Sequence, residues 1–183
     1  MTTRAAAGYS AARRPLTSLL DSVAPLAWAA PSPCDGWTAR DVVGHLVETQ
    51  RELFGRHGVE LGAAPNVAAD PAAAWQAHAQ AVEEVIADDA VADMAFDSYF
   101  GPTTLGATLL QFYVFDMVAH RWDVARAVGV DAALTDTELD LLDEGASSFG
   151  DALYMEGVCA PGVEPAADAG REATVLARLG RQA

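Results

Sequence analysis

Gln111-Phe112-Tyr113-Val114-Phe115-Asp116-Met117-Val118-Ala119-His120-Arg121-Trp122-Asp123-Val124-Ala125 is the stretch whose reading decides the fold. It is strongly apolar and carries its apolar residues at helical spacing. Three polar residues interrupt the stripe. Asp116 and His120 stand at i and i+4, so they share one face, one turn above the other. Asp123 follows at the next i+3 step. A carboxylate and an imidazole turned toward a core each need a partner. Spacing alone leaves two readings: the two side chains satisfy each other, or they are two ligands of a metal ion whose remaining ligand comes from elsewhere.

The elsewhere lies upstream. Pro31-Ser32-Pro33-Cys34-Asp35-Gly36-Trp37 reads as a tight connection, because its prolines and its Asp-Gly pair oppose regular structure. Thr38 offers a hydroxyl N-cap with Asp41 three residues on, a capping-box pattern. The helix that follows, over residues 39–54, places Val42, His45, Leu46, Thr49 and Leu53 on one stripe. His45 therefore faces inward among apolar neighbours.

The remaining elements have local signals. Residues 5–23 read as a first helix, with Pro15 either bending it or restarting it. Asp70-Pro71 starts a third helix over residues 72–87, with Trp75, Ala79, Val82 and Ile86 inward and His78 on its flank. Residues 88–102 read as an extended covering segment. A fourth helix is predicted over residues 104–128, with Gly129 just past its end. Thr135 and Glu138 cap a fifth, over residues 136–153, and a short amphipathic helix follows over residues 168–179, stopped by Gly180. With no repeat and no evident break, the chain is expected to be one domain over residues 1–183: an all-α, four-helix bundle with additional helix at its C-terminal end.

Composition narrows the function. The chain has 183 residues, a net charge of −15, and 11 basic residues, all of them arginine. Nucleic acid is an unsuitable partner, since neutralising phosphates requires a basic surface. No run reaches the ~18 apolar residues that a membrane helix needs, and no apolar leader is visible at the N-terminus. The expectation is a cytoplasmic protein with Cys34 and Cys159 as reduced thiols. Alanine-rich helix faces permit a homodimer.

Bundle cores build metal sites from side chains on facing helices. His45, Asp116 and His120 would supply two imidazoles and one carboxylate with coordination positions left open. That donor set suits Zn²⁺ first, and Ni²⁺ or Fe²⁺ after it, over Ca²⁺ or Mg²⁺. An open position could take water or a thiol and lower its pKa toward neutrality. Asp123 is read either as a group orienting an imidazole from behind or as a surface carboxylate near Arg121 or Arg126. Trp37 and Trp122 are read as packing residues, and Cys34 as structural rather than nucleophilic. His57 and His78 are expected to be solvated. Arg40, Arg51 and Arg121 are read as surface cations that could receive an acidic thiol or substrate.

The block Pro31 to Val47, followed by Asp116 to Ala125, resembles the mycothiol-dependent maleylpyruvate isomerase N-terminal family. That family belongs to the DinB/YfiT-like superfamily of metal-binding four-helix bundles. The resemblance covers nearly the whole chain, and its stand-alone actinobacterial members are the nearest pattern. It implies a divalent metal held by His45, Asp116 and His120, with mycothiol as a cosubstrate. Two departures stand out: the isomerase carries glutamate where this chain has Asp116, and it has a further domain after the bundle.

The function implied is a metal-dependent enzyme that uses a low-molecular-weight thiol to isomerise a small electrophile or to transfer sulfur to it. No catalytic base and no thiol-binding residue is evident in the sequence. The alternative is a metal-binding bundle without catalysis, serving as a sensor or interaction module.

Overall fold

The computed structural model describes residues 3–155 and 158–182. They group into two compact units, Met1–Val130 and Asp131–Ala183.

The first unit is built on four helices. Helix α1 (Arg4–Asp21) starts at Thr3, whose hydroxyl oxygen accepts from the Ala6 amide. That hydroxyl also donates to the Ile86 carbonyl at 2.8 Å, tying the start of α1 to the end of another helix. Pro15 lies inside α1 and the helix runs through it without a break. The missing hydrogen bond is tolerated because Tyr9, Ala12, Leu16 and Leu20 bury one continuous face.

Helix α2 (Ala39–Arg56) has a reciprocal capping box: the Thr38 side chain accepts from the Asp41 amide, and the Asp41 carboxylate accepts from the Thr38 amide. Helix α3 (Pro71–Ile86) begins on the Asp70 cap with proline at its first position. Between α3 and the last bundle helix come a short helix α4 (Asp89–Ala92) and an antiparallel hairpin of β1 (Ala95–Ser98) and β2 (Gly101–Thr104). The hairpin register pairs Ala95 with Thr104 and Ser98 with Gly101. The covering segment expected over residues 88–102 is thus a turn of helix and a hairpin.

The fourth helix departs from its expected form. Instead of one run over residues 104–128, it comes as α5 (Leu105–Thr108), a π-helical turn (Leu109–Tyr113) and α6 (Val114–Val128). A single wide turn of this kind inserts a residue into the helical ladder. Gly129 closes α6 at φ 76°, a left-handed conformation that glycine adopts without steric cost.

Helix α1 packs against α3 and α6, and α2 packs against α6 and α3, so the four form a ring around a shared core. Leu16, Leu46, Phe54, Trp75, Ile86, Leu109 and Met117 are fully buried in it. Each such side chain contributes roughly 1.5–3 kcal/mol relative to exposure. The core is not wholly apolar. Tyr9 Oη donates to Gln50 Oε1 at 2.8 Å, and His78 Nε2 lies 3.0 Å from the same oxygen. His78 is 1% exposed, which corrects the expectation of a solvated flank residue. Its partner on α2 supplies the polar contact that allows burial. His57 is half-buried, with its ring 4.1 Å from that of Phe96.

The second unit holds α7 (Asp136–Phe149), a 3₁₀ turn (Gly150–Tyr154) and α8 (Arg171–Arg178). Thr135 and Glu138 form the expected capping box. The fifth helix ends earlier than expected, at Phe149, because Gly150 turns the chain at φ 54°. Helix α8 is held to α7 by Arg171 on Asp136 and Asp140, and by Arg178 on Asp143. The architecture is all-α apart from the two-stranded hairpin, and no described helix is long and apolar enough to cross a membrane.

Candidate metal centre

Two elements deliver the site. The first is the turn before α2. Pro31 pairs with Thr38 as an isolated bridge, and the Ser32 amide donates to the Trp37 carbonyl at 2.8 Å. Inside that loop the Trp37 amide donates to the Cys34 carbonyl at 3.0 Å, closing a β-turn with Gly36 at φ 75°. A φ in that range is what the third residue of such a turn requires, and glycine meets it cheaply. The turn sets Cys34 and Trp37 at the head of α2, and His45 follows within the helix. The second element is α6, which carries Asp116, His120 and Asp123 on one face.

The three residues singled out from the sequence come together. His45 Nε2 lies 3.2 Å from Asp116 Oδ2, and His120 Nε2 lies 3.2 Å from Asp116 Oδ1. One donor atom from each of His45, Asp116 and His120 fits within 4.8 Å of the others. The spacing has chemical content. Bonds of 2.0–2.2 Å in a tetrahedral zinc site separate neighbouring ligand atoms by about 3.3 Å. The two 3.2 Å separations are close to that edge, although they run to different oxygens of Asp116, and the three residues make a candidate ligand group for a divalent ion.

Burial is graded across the set. The side chains of His45 and Asp116 are 26% and 29% exposed, whereas His120 is 8% and Asp123 0%. The centre therefore opens to solvent on the His45–Asp116 side. The Trp37 ring stands 4.9 Å from the His45 ring and 6.1 Å from the His120 ring, walling the imidazoles. This is a placement that the sequence reading of Trp37 as simple packing did not anticipate.

The electrostatics follow from these contacts. Burial acts to raise the Asp116 pKa, but His120 and His45 outweigh it and hold the carboxyl well below the usual range. Burial acts to lower the His120 pKa, but Asp116, Asp123 and Cys34 overcome it and push it well above the ordinary histidine value. Two imidazoles turned onto one charged carboxylate form a donor set on which a divalent cation could take the place of the shared protons.

Behind the ring, His120 Nδ1 donates to Asp123 Oδ2 at 2.8 Å. Asp123 thus stands where a group that orients an imidazole should stand, and not at the surface. Cys34 Sγ donates to the same Asp123 oxygen at 3.4 Å. The sequence reading missed this contact. Arg121 is 1% exposed, which corrects its reading as a surface cation open to a substrate. Arg51 is committed to the Leu61 and Gly62 carbonyls.

A helical bundle in which two facing helices bring two imidazoles and a carboxylate together belongs with the DinB-like folds. The family is defined more narrowly by the match over residues 9–125 to the mycothiol maleylpyruvate isomerase N-terminal domain: this chain belongs to that family. No curated protein and no solved structure matches the chain.

Proposed function

We propose that the protein is a metal-dependent enzyme that joins a low-molecular-weight thiol of the mycothiol type to a small electrophile, for isomerisation or for S-transfer. The observation that carries this is the convergence of His45, Asp116 and His120 at metal-ligand spacing, in a member of this family. The two-imidazole, one-carboxylate donor set favours Zn²⁺, with Ni²⁺ and Fe²⁺ as the next candidates.

His45, Asp116 and His120 would hold a divalent cation, which would supply the positive charge that favours the thiolate form of a thiol near neutral pH. The chain's own residues do the rest. Asp116 offsets part of the charge. Asp123 fixes the tautomer of His120 so that Nε2 faces the centre. The open side beside His45 and Asp116 admits the two small molecules, and Trp37 shields the imidazoles from the flank. The thiolate would add to one carbon of an activated carbon–carbon double bond, whose π electron pair passes to the adjoining electron-withdrawing group. Rotation about the resulting single bond and expulsion of the thiolate re-form the double bond and complete an isomerisation, whereas protonation of the adduct by solvent retains the carbon–sulfur bond and gives a conjugate. Such chemistry belongs in a reducing cytoplasm, where the thiol is kept available.

Metal analysis of purified protein tests the first half. Stoichiometric zinc, nickel or iron is expected, lost on His45→Ala or His120→Ala. Metal that stays far below stoichiometric after reconstitution sinks the proposal. Assay with mycothiol and simple electrophiles tests the second half. Activity should vanish with chelator and with His120→Ala; if it survives both, the mechanism is wrong. Stoichiometric metal without any thiol chemistry would leave a binding or sensing module.

A further inference from the structure

Cys34, His120 and Asp123 form a second cluster with metal-ligand chemistry, on the Nδ1 side of the His120 ring. Its spacing separates it from the first. His120 Nδ1 and Asp123 Oδ2 are 2.8 Å apart, too close for two ligands of one tetrahedral ion but ordinary for a charge-assisted N–H to carboxylate hydrogen bond. Cys34 Sγ is 3.4 Å from Asp123 Oδ2 and 3.9 Å from His120 Nδ1. The thiol therefore aims its hydrogen at the carboxylate. A proton occupies the position where a second cation would sit.

The geometry points to Cys34 as a positioning residue of the metal centre. Its thiol, in the turn ahead of α2, donates to Asp123 on α6 and so holds the carboxylate that fixes the His120 ring. Asp123 Oδ2 accepts from His120 on its own helix and from Cys34 in the turn ahead of α2. The hydrogen bond ties α6, which carries His120, to the turn that leads into α2, which carries His45. Cys34 thus acts on the angle at which the His120 lone pair meets the ion, although its sulfur faces the other ring nitrogen. This role rests on the metal reading above.

The test compares Cys34→Ala, Cys34→Ser and Asp123→Asn with wild type, using Co²⁺ as the probe. Affinity is read by competition with a chelating dye, and ligand geometry by the Co²⁺ ligand-field spectrum. In the metal-free protein, the ¹⁵N-resolved His120 Nδ1–H resonance is followed by NMR. Loss of an outer partner of this kind weakens metal binding by roughly 10–100-fold. Cys34→Ala should weaken Co²⁺ by about tenfold, shift the ligand-field bands, and broaden the Nδ1–H resonance by exchange. Cys34→Ser keeps a donor aimed at Asp123 and should restore all three.

If both Cys34 variants match wild type while Asp123→Asn weakens Co²⁺, the positioning role is refuted and the metal centre stands. If serine is as impaired as alanine, the sulfur acts by its bulk and not by its hydrogen bond, which also overturns the inference. Wild type that binds no Co²⁺ removes the metal centre and this role together. Thermal melts followed by circular dichroism establish that each variant is folded before it is compared.

Discussion

His78 offers a measurement that tests the buried core independently of any metal. Its ring is 1% exposed, and burial first, with the Arg51 charge adding to it, lowers its pKa from 6.5 to about 3. The folded state therefore keeps His78 neutral at pH values where the unfolded chain protonates it. The sign follows directly. Between pH 6.5 and about 3 the unfolded state binds more protons, so stability is full above 6.5 and is lost as pH falls through that window. Each pH unit inside the window costs about 1.4 kcal/mol, so a descent to about pH 4.5 costs roughly 2.7 kcal/mol from this one group. His78→Gln has no titrating ring and keeps a donor toward Gln50. Urea unfolding of wild type and variant, in chelator, at about pH 7.5 and about pH 4.5, isolates the difference, because other titrating groups cancel. Tryptophan fluorescence follows the first unit alone, since all four tryptophans, Trp28, Trp37, Trp75 and Trp122, lie before residue 131. The variant should be the less stable at the higher pH, and the gap should close by roughly 2–3 kcal/mol at the lower. A gap that stays constant between the two pH values would falsify the account of a neutral, buried His78.

Two other perturbations address the fold and the site. A Cβ added at Gly106 would lie 2.9 Å from both Ala5 Cβ and the Ala92 carbonyl oxygen, so Gly106→Ala should destabilise the first unit by about 1–3 kcal/mol, read as a lower urea midpoint; an unchanged midpoint would show that α1 and α5 yield freely there. Trp37, with its ring 4.9 Å from His45 and 6.1 Å from His120, should carry most of any fluorescence quenching by Co²⁺. Trp37→Phe should remove most of that quenching while leaving the dye-competition affinity close to wild type, and quenching that persists undiminished would place the ion away from this wall.

The parts of the fold legible in the sequence were those whose causes are local. Thr38 with Asp41, Asp70 with Pro71, and Thr135 with Glu138 announce helix starts within four residues, and each capping contact is present. The faces of His45, Asp116 and His120 were legible from apolar periodicity, but their meeting was not. His45 and Asp116 are 71 residues apart, so the inward faces made them candidates for one site and the family resemblance strengthened the pairing, but no local signal placed them together. His78 was misplaced because its partner Gln50, 28 residues away, makes burial of an imidazole affordable, and no neighbour in sequence reports it. Cys34 and Asp123 are separated by 89 residues, so a thiol in a breaker-rich turn gave no sign of its carboxylate partner. The π turn had no residue-type signal, since Leu109 to Tyr113 are ordinary helix-compatible residues.

That wide turn has a consequence for access. Leu109 and Asp116 are seven residues apart, a spacing that in an unbroken α-helix would put them almost in line. Leu109 is 0% exposed, and a carboxylate on its meridian would be sealed in the core. Over Leu109–Tyr113 the wider winding lags the α-helix by roughly a quarter-turn. The lag swings Asp116 off that meridian, and its side chain is 29% exposed. The pitch of the backbone one turn earlier thus sets the direction in which Asp116 and His120 leave α6, and removal of one residue there would turn both by about 100° relative to the helix upstream without changing any of the three ligand side chains.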